Sequence, residues 1–177
     1  MGPTADARDF LASPLLAEAD EGARLALFEA LEPGLAAPGD LLIAQGRPNA
    51  RLWFFLAGSV AIVRRAGGAD LPVAQLTAPG IFGATTFFRP GPATASIRAA
   101  SALRHLTLGH EAHDRLRLDQ PRAAEALALA TVRVLAERFD LLDARLTEFM
   151  AARPDDQPET TEWAAFRARL FEEPSII

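Results

Sequence analysis

Between Leu35 and Leu108, short apolar segments alternate with Gly- and Pro-bearing turns, whereas residues 122–152 contain neither Gly nor Pro. That division constrains the chain more than any other feature. Glycine and proline repeatedly end the short segments, so they read as strands joined by tight turns. The uninterrupted stretch reads as one helix of roughly 45 Å at 1.5 Å per residue. The expected architecture is therefore a small β-barrel or sandwich followed by a long helix.

The turns fall at Pro38-Gly39-Asp40, Gln45-Gly46, Pro48-Asn49, Ala57-Gly58, Gly67-Gly68 and Pro79-Gly80. Between them lie the apolar run Leu41-Leu42-Ile43 and expected strands at 52–56, 59–65, 71–76, 94–99 and 103–108. Ahead of this region, Ala7 to Leu11 reads as a short helix. Ser13-Pro14 supplies a cap and a first-turn proline, and Asp20 or Glu21 opens a helix that Pro33-Gly34 should end. A short helix is expected over 111–118. Asp119-Gln120-Pro121 then starts the long one.

Along the long helix, Ala128, Val132, Leu135, Phe139, Leu142, Leu146 and Phe149 follow one another in alternating steps of four and three. Such a seam is a heptad repeat, and it predicts a parallel homodimeric coiled coil, with packing inside one chain as the alternative. Leu127, Val134 and Leu141 form a second apolar stripe beside it. Residues 153–177 are expected to be a separate acidic linker and tail, set apart from a domain over 1–152 that includes the helix. A short amphipathic helix there would present Trp163, Phe166 and Leu170, either to its own domain or to another protein.

Composition excludes several functions. Half of the residues are hydrophobic, enough for a full core, and there is no cysteine, so disulfides, thiolate zinc sites and thiol catalysis are out. The net charge is -5 and every basic residue is Arg, with no basic stripe of the kind that nucleic acid attracts. No apolar run approaches the ~20 residues needed to cross a bilayer, and residues 1–9 lack the pattern of a signal peptide, which makes the cytoplasm the expected compartment. Neither an enzyme nor a cofactor protein is expected. Thr85, Thr86, Thr94 and Ser96 have no activating base in the sequence. His110 and His113 stand three apart on a helix but have no evident third ligand, so no metal is assigned.

The order of Pro38-Gly39, Gln45-Gly46, the strand ending at Gly58, Pro79-Gly80, Phe82-Gly83 and Pro92 to Ile97, followed by the helix from Pro121, resembles the cyclic nucleotide-binding domain of the catabolite activator class. The resemblance covers about residues 10–150. It implies an α+β fold: a β jelly roll with N-terminal helices and a long C-terminal dimerisation helix. It also implies a phosphate-binding cassette over Phe82, Gly83, Ala84, Thr85, Arg89, Ala93, Thr94, Ala95 and Ser96.

Two residues depart from the family pattern. A Glu that holds the ribose is replaced by Ala84, and an Arg that pairs with the cyclic phosphate is replaced by Ala93, while the small residues Thr94, Ala95 and Ser96 are kept. An Arg–phosphate pair contributes roughly 1.5–3 kcal/mol, so its loss alone costs about tenfold to several hundredfold in affinity. Arg89 or Arg98 would have to swing in to compensate; otherwise both are solvated surface arginines. The expectation is a degenerate, non-enzymatic regulatory module that contacts itself and another protein, with a sensor of a different nucleotide, a cyclic dinucleotide or another small ligand as the alternative. Transcriptional members of this class carry a DNA-binding domain after the long helix. The 25 residues after Ala152 hold six acidic residues and three Arg, which leads to the expectation that DNA is not a partner.

Overall fold

The computed structural model describes residues 4–151, and side chains as far as residue 148. Three capped turns open the chain. Thr4 caps α1 (Ala5–Leu11), Ser13 caps a single 3-10 turn at Pro14–Leu16, and Asp20 Oδ1 accepts from the Ala23 N–H, 2.8 Å away, at the start of α2 (Glu21–Glu29). The Arg24 guanidinium then donates to the carbonyls of Leu11, Ala17 and Ala19 at 2.8–3.0 Å, satisfying groups that the helix ends leave open.

Eight strands follow: β1 (Glu32–Ala36), β2 (Leu41–Ile43), β3 (Arg51–Ala57), β4 (Ser59–Ala66), β5 (Ala69–Thr77), β6 (Gly80–Phe82), β7 (Ser96–Ala99) and β8 (Leu103–Gly109). They make two antiparallel four-stranded sheets, ordered β1-β8-β3-β6 and β2-β7-β4-β5, which together form a jelly roll. A short helix, α3 (Ala84–Phe88), interrupts the strands after β6. Then α4 (His110–Asp119) and α5 (Pro121–Ala151) complete the described chain. The α+β jelly roll with flanking helices is the fold expected from the sequence.

The principal local correction concerns Pro33-Gly34, which do not form a terminating turn but lie inside β1. The strand tolerates Pro33 because β1 is a sheet edge, where a missing N–H breaks no ladder. Gly34 pairs with His105 of β8, and a Cβ at Gly34 would stand 2.4 Å from the imidazole Cε1, so only glycine admits the ring. Gly58 has an even stricter constraint at the β3–β4 turn. It takes a φ of +91°, and a Cβ there would lie 2.2 Å from the backbone oxygen of Ala102.

Two apolar clusters hold this architecture. One joins the helices to the outer face of the β1-containing sheet through Phe10, Leu27, Phe54, Ile81, Leu106 and Leu127. The other fills the space between the sheets with Ile43, Phe55, Val60, Phe82, Ile97 and Leu103. The compact unit containing the barrel extends to Val134, and a second begins at Leu135. Among the described residues, no helix is long and apolar enough to cross a membrane.

Candidate functional site

The cassette begins where β6 turns into α3. Gly83 caps the helix with a φ of +83°, and a Cβ there would approach the Arg51 carbonyl oxygen to 2.8 Å and the Asn49 amide nitrogen to 3.0 Å. Asn49 acts as the clasp of this corner. Its Nδ2 donates to the Arg51 carbonyl at 2.7 Å and to Thr86 Oγ1 at 3.0 Å, and its Oδ1 accepts from Trp53 Nε1 at 3.4 Å. Phe82 stacks on Trp53 with ring centroids 5.4 Å apart.

Ala84 and Ala93, where the resemblance leads one to expect charged residues, are walls of the core. Ala84 is 5% exposed and packs in the helix-side cluster; Ala93 is 6% exposed and packs in the cluster between the sheets. The backbone of Ala93 is engaged on both sides. Its N–H donates to the Arg47 carbonyl at 2.9 Å, and its carbonyl accepts from the Gly46 N–H at 2.8 Å. Ser96 Oγ accepts from the Gln45 N–H at 3.0 Å, and the Gln45 amide in turn pairs with the backbone of Arg65. Thr85 and Thr94 are exposed, and Ala95 is half-buried. Thus the Ala93 backbone and the Ser96 hydroxyl already bind this chain.

Both flanking arginines lie at the surface. Arg89 is the exposed C-cap of α3, and Arg98 is exposed on β7 with its guanidinium donating to the Gly39 carbonyl at 3.3 Å. Neither guanidinium shares the burial of Ala93.

The histidine pair at the start of α4 serves as a joint. His110 stacks on Phe87, and its Nε2 lies 3.0 Å from the Phe87 carbonyl; since a carbonyl only accepts, that nitrogen carries the proton. His113 meets the edges of Phe87 and Phe88. These contacts tie α3 to α4, which leads directly into α5. No group of three or more acidic or histidine side chains suited to a metal occurs among the described residues.

His105 is the titratable group that sequence reasoning missed. It is buried between Gly34 and Trp53, and its Nδ1 has no hydrogen-bond partner among the described residues. Burial pushes its pKa below the ordinary 6.5, and burial moves His113 in the same direction. A group held neutral in the fold contributes stability fully above its unfolded pKa. That stability is lost as the pH falls through the lowered folded value. The denaturant midpoint of the protein therefore falls as the pH drops below about 6.5. His105→Gln should flatten that decline in urea titrations compared between pH 7.5 and pH 5; an equally steep decline in the variant would assign it elsewhere.

On α5, Ala123, Leu127, Ala130 and Thr131 are buried against the barrel unit, and Val134 is half-buried against the same cluster. The seam residues lie elsewhere on the helix. Ala128 is exposed and Val132 is 62% exposed; in the second unit Leu135, Phe139 and Leu142 are exposed, and Leu146 is half-buried. The second stripe is only partly internal, because Leu141 is exposed. The side chain of Phe149, and all of Trp163, Phe166 and Leu170, lie outside the described residues.

Residues 35–120 match the family model for the cyclic nucleotide-binding domain. The chain has the fold of a cyclic nucleotide-binding domain. This domain is similar to the CRP-like cAMP-activated global transcriptional regulator of Mycobacterium tuberculosis, at 28% identity over 141 residues, covering 72% of this chain and 61% of the relative. The chain thus spans about three fifths of the length of the curated relatives it matches. Among solved structures, it is similar to a cyclic nucleotide-binding domain from Methylobacillus flagellatus, with a TM-score of 0.74, 17% identity, and coverage of 81% and 83% of the two chains. It is also similar to the Thermus thermophilus catabolite activator protein, with a TM-score of 0.62, 29% identity, and coverage of 80% and 66%. The match to the first of these is one of fold. Within this fold, the cassette corner is built from Gly83, Asn49 and Trp53, and the buried Ala84 and Ala93 flank the cassette.

Proposed function

We propose that this chain is a non-enzymatic regulatory module, a homodimer built on the cyclic nucleotide-binding fold, that does not take up cAMP or cGMP by the family's ribose and phosphate pairing. One observation carries this reading. Ala84 and Ala93 are buried among apolar side chains, and the N–H groups of Ala93, Gly46 and Gln45 beside Ala93 are already engaged within the chain. A cyclic phosphate placed there would be desolvated without a cation, at a cost of several kcal/mol. The M. tuberculosis relative is described as cAMP-activated, but its activation does not carry over to positions where this chain has alanine.

Output runs through protein contacts. The α3–α4 joint at Phe87, His110 and His113 couples the cassette to the helix that bears the seam. The exposed heptad positions of α5 suit a second copy of the chain, and Trp163, Phe166 and Leu170 suit another protein. A thermal-shift panel tests the ligand side of this reading. Neither cAMP nor cGMP should move the melting temperature. A shift produced by a different nucleotide, a cyclic dinucleotide or an uncharged small molecule would instead favour a sensor of altered specificity.

A further inference from the structure

We infer that the outer face of the β2-β7-β4-β5 sheet carries a site for a small organic carboxylate, held by Arg98 and Arg65. Strand alternation sets the face. Ile97 and Ala99 are buried in the cluster between the sheets, so Ser96 and Arg98 of β7 look outward. On that face Arg98 stands beside Leu41 of β2, Ser96 beside Val63 of β4, and Arg65 of β4 beside Asp70 of β5. With the turn at 44–46, where the chain leaves β2, they line a depression of about 430 Å³, a size that suits a small molecule. It lies across β7 from the cluster that contains Ala93, so it stands whether or not the cassette takes a nucleotide.

Charge decides what the depression takes. Arg65 already shows the mode: its Nε and Nη2 donate to the two carboxylate oxygens of Asp70 at 2.8 and 3.4 Å, while the Gln45 amide holds the Arg65 backbone through both its N–H and its carbonyl. Arg98 has no such partner. Its guanidinium donates to the neutral Gly39 carbonyl at 3.3 Å and makes no salt bridge among the described residues. The Asp70 pKa is lowered, chiefly by the Arg65 hydrogen bond, and the charge of Arg98 adds to the effect, so both arginines act on one carboxylate. Two guanidinium groups and one carboxylate leave a single positive charge, which one further carboxylate neutralises in the planar, two-pronged manner that guanidinium favours. Ser96 Oγ accepts from the Gln45 N–H and keeps its own O–H to donate. Leu41, 48% exposed, and the half-buried Val63 offer the ligand's apolar body a surface.

The test titrates benzoate, phenyl phosphate and benzyl alcohol into the full, isotope-labelled chain and follows the backbone amide and arginine Nε–H resonances by NMR. Benzoate should bind with a Kd of about 1 mM or below and shift the signals of Gln45, Arg65 and Arg98, whereas benzyl alcohol, which has the ring without the charge, should not. Arg98→Gln should weaken benzoate about tenfold, and Arg65→Gln, which also frees the Asp70 carboxylate, at least as much. Asp70→Asn should tighten it several-fold by removing the competing carboxylate. Arg8→Gln, on the exposed face of α1, should leave it unchanged. Arg65 and Arg98 are exposed, so the variants should keep the wild-type melting curve. Benzoate shifts that do not saturate by about 10 mM, or a loss in Arg8→Gln equal to that in Arg98→Gln, would overturn the site. Phenyl phosphate binding more tightly than benzoate at the same residues would overturn the assignment to a carboxylate.

Discussion

Ala93→Arg lowers the unfolding free energy by about 2–4 kcal/mol and creates no cyclic nucleotide site. The substitution supplies the cation that the resemblance leads one to expect for the phosphate at this position, so an open, merely neutral pocket would accept it and gain affinity. Here the position is 6% exposed and packs with Ile43, Phe55, Val60, Phe82 and Ile97. An Arg must either bury its charge among these side chains or push the turn outward. Pushing it outward breaks the two hydrogen bonds that the Ala93 backbone makes to Gly46 and Arg47. Urea denaturation of the variant beside Ala93→Ser separates size and charge from simple replacement, because the serine should cost little. A stable Ala93→Arg protein that binds cAMP would show that the space exists.

Combining Leu135→Glu with Leu142→Glu abolishes the dimer without unfolding the chain. Both positions are exposed in the single chain, so glutamate there meets water and fits a helix. In the dimer the same changes remove four leucine side chains from the seam. At about 1.5 kcal/mol each, that is about 6 kcal/mol, or some four decades in Kd, before the repulsion of four carboxylates is added. Light scattering should give half the wild-type mass, with an unchanged melting curve at low concentration. An unchanged mass would place the self-association surface elsewhere.

The turns and the long helix could be read from the sequence because their physics is local. Gly39, Gly46, Gly58 and Gly83 all take positive φ, and the Gly- and Pro-free stretch after Pro121 is helical through Ala151. What could not be read was tertiary. Pro33-Gly34 has every local mark of a helix stop, yet Gly34 belongs to a strand because the His105 ring needs the space. The five residues of α3 are too few to show a period, and their helix is held by burial of Ala84, Thr86 and Phe87. Asn49 looked like one more turn residue, since nothing in the sequence near it reveals that Thr86 and Trp53 converge on its amide. His110 and His113 had the spacing of ligands, but their partners are the rings of Phe87 and Phe88, contributed by a different element.

The sequence shows alanine at positions 84 and 93, where the resemblance leads one to expect charge, and burial gives those alanines their physical meaning. An alanine facing solvent would leave a site that a ligand's own counterion or a flexible arginine could complete. An alanine inside an apolar cluster removes both the charge and the room for it. Arg89 and Arg98 remain at the surface, where solvent already hydrates them.

Titration calorimetry of the full chain with cAMP and with cGMP, near neutral pH and moderate salt, tests this most directly. The buried, uncharged Ala84 and Ala93 predict no saturable heat at nucleotide concentrations up to about 1 mM, the range of binding free energies weaker than about -4 kcal/mol. One nucleotide bound per chain with a Kd below about 10 µM, near -7 kcal/mol, would contradict it.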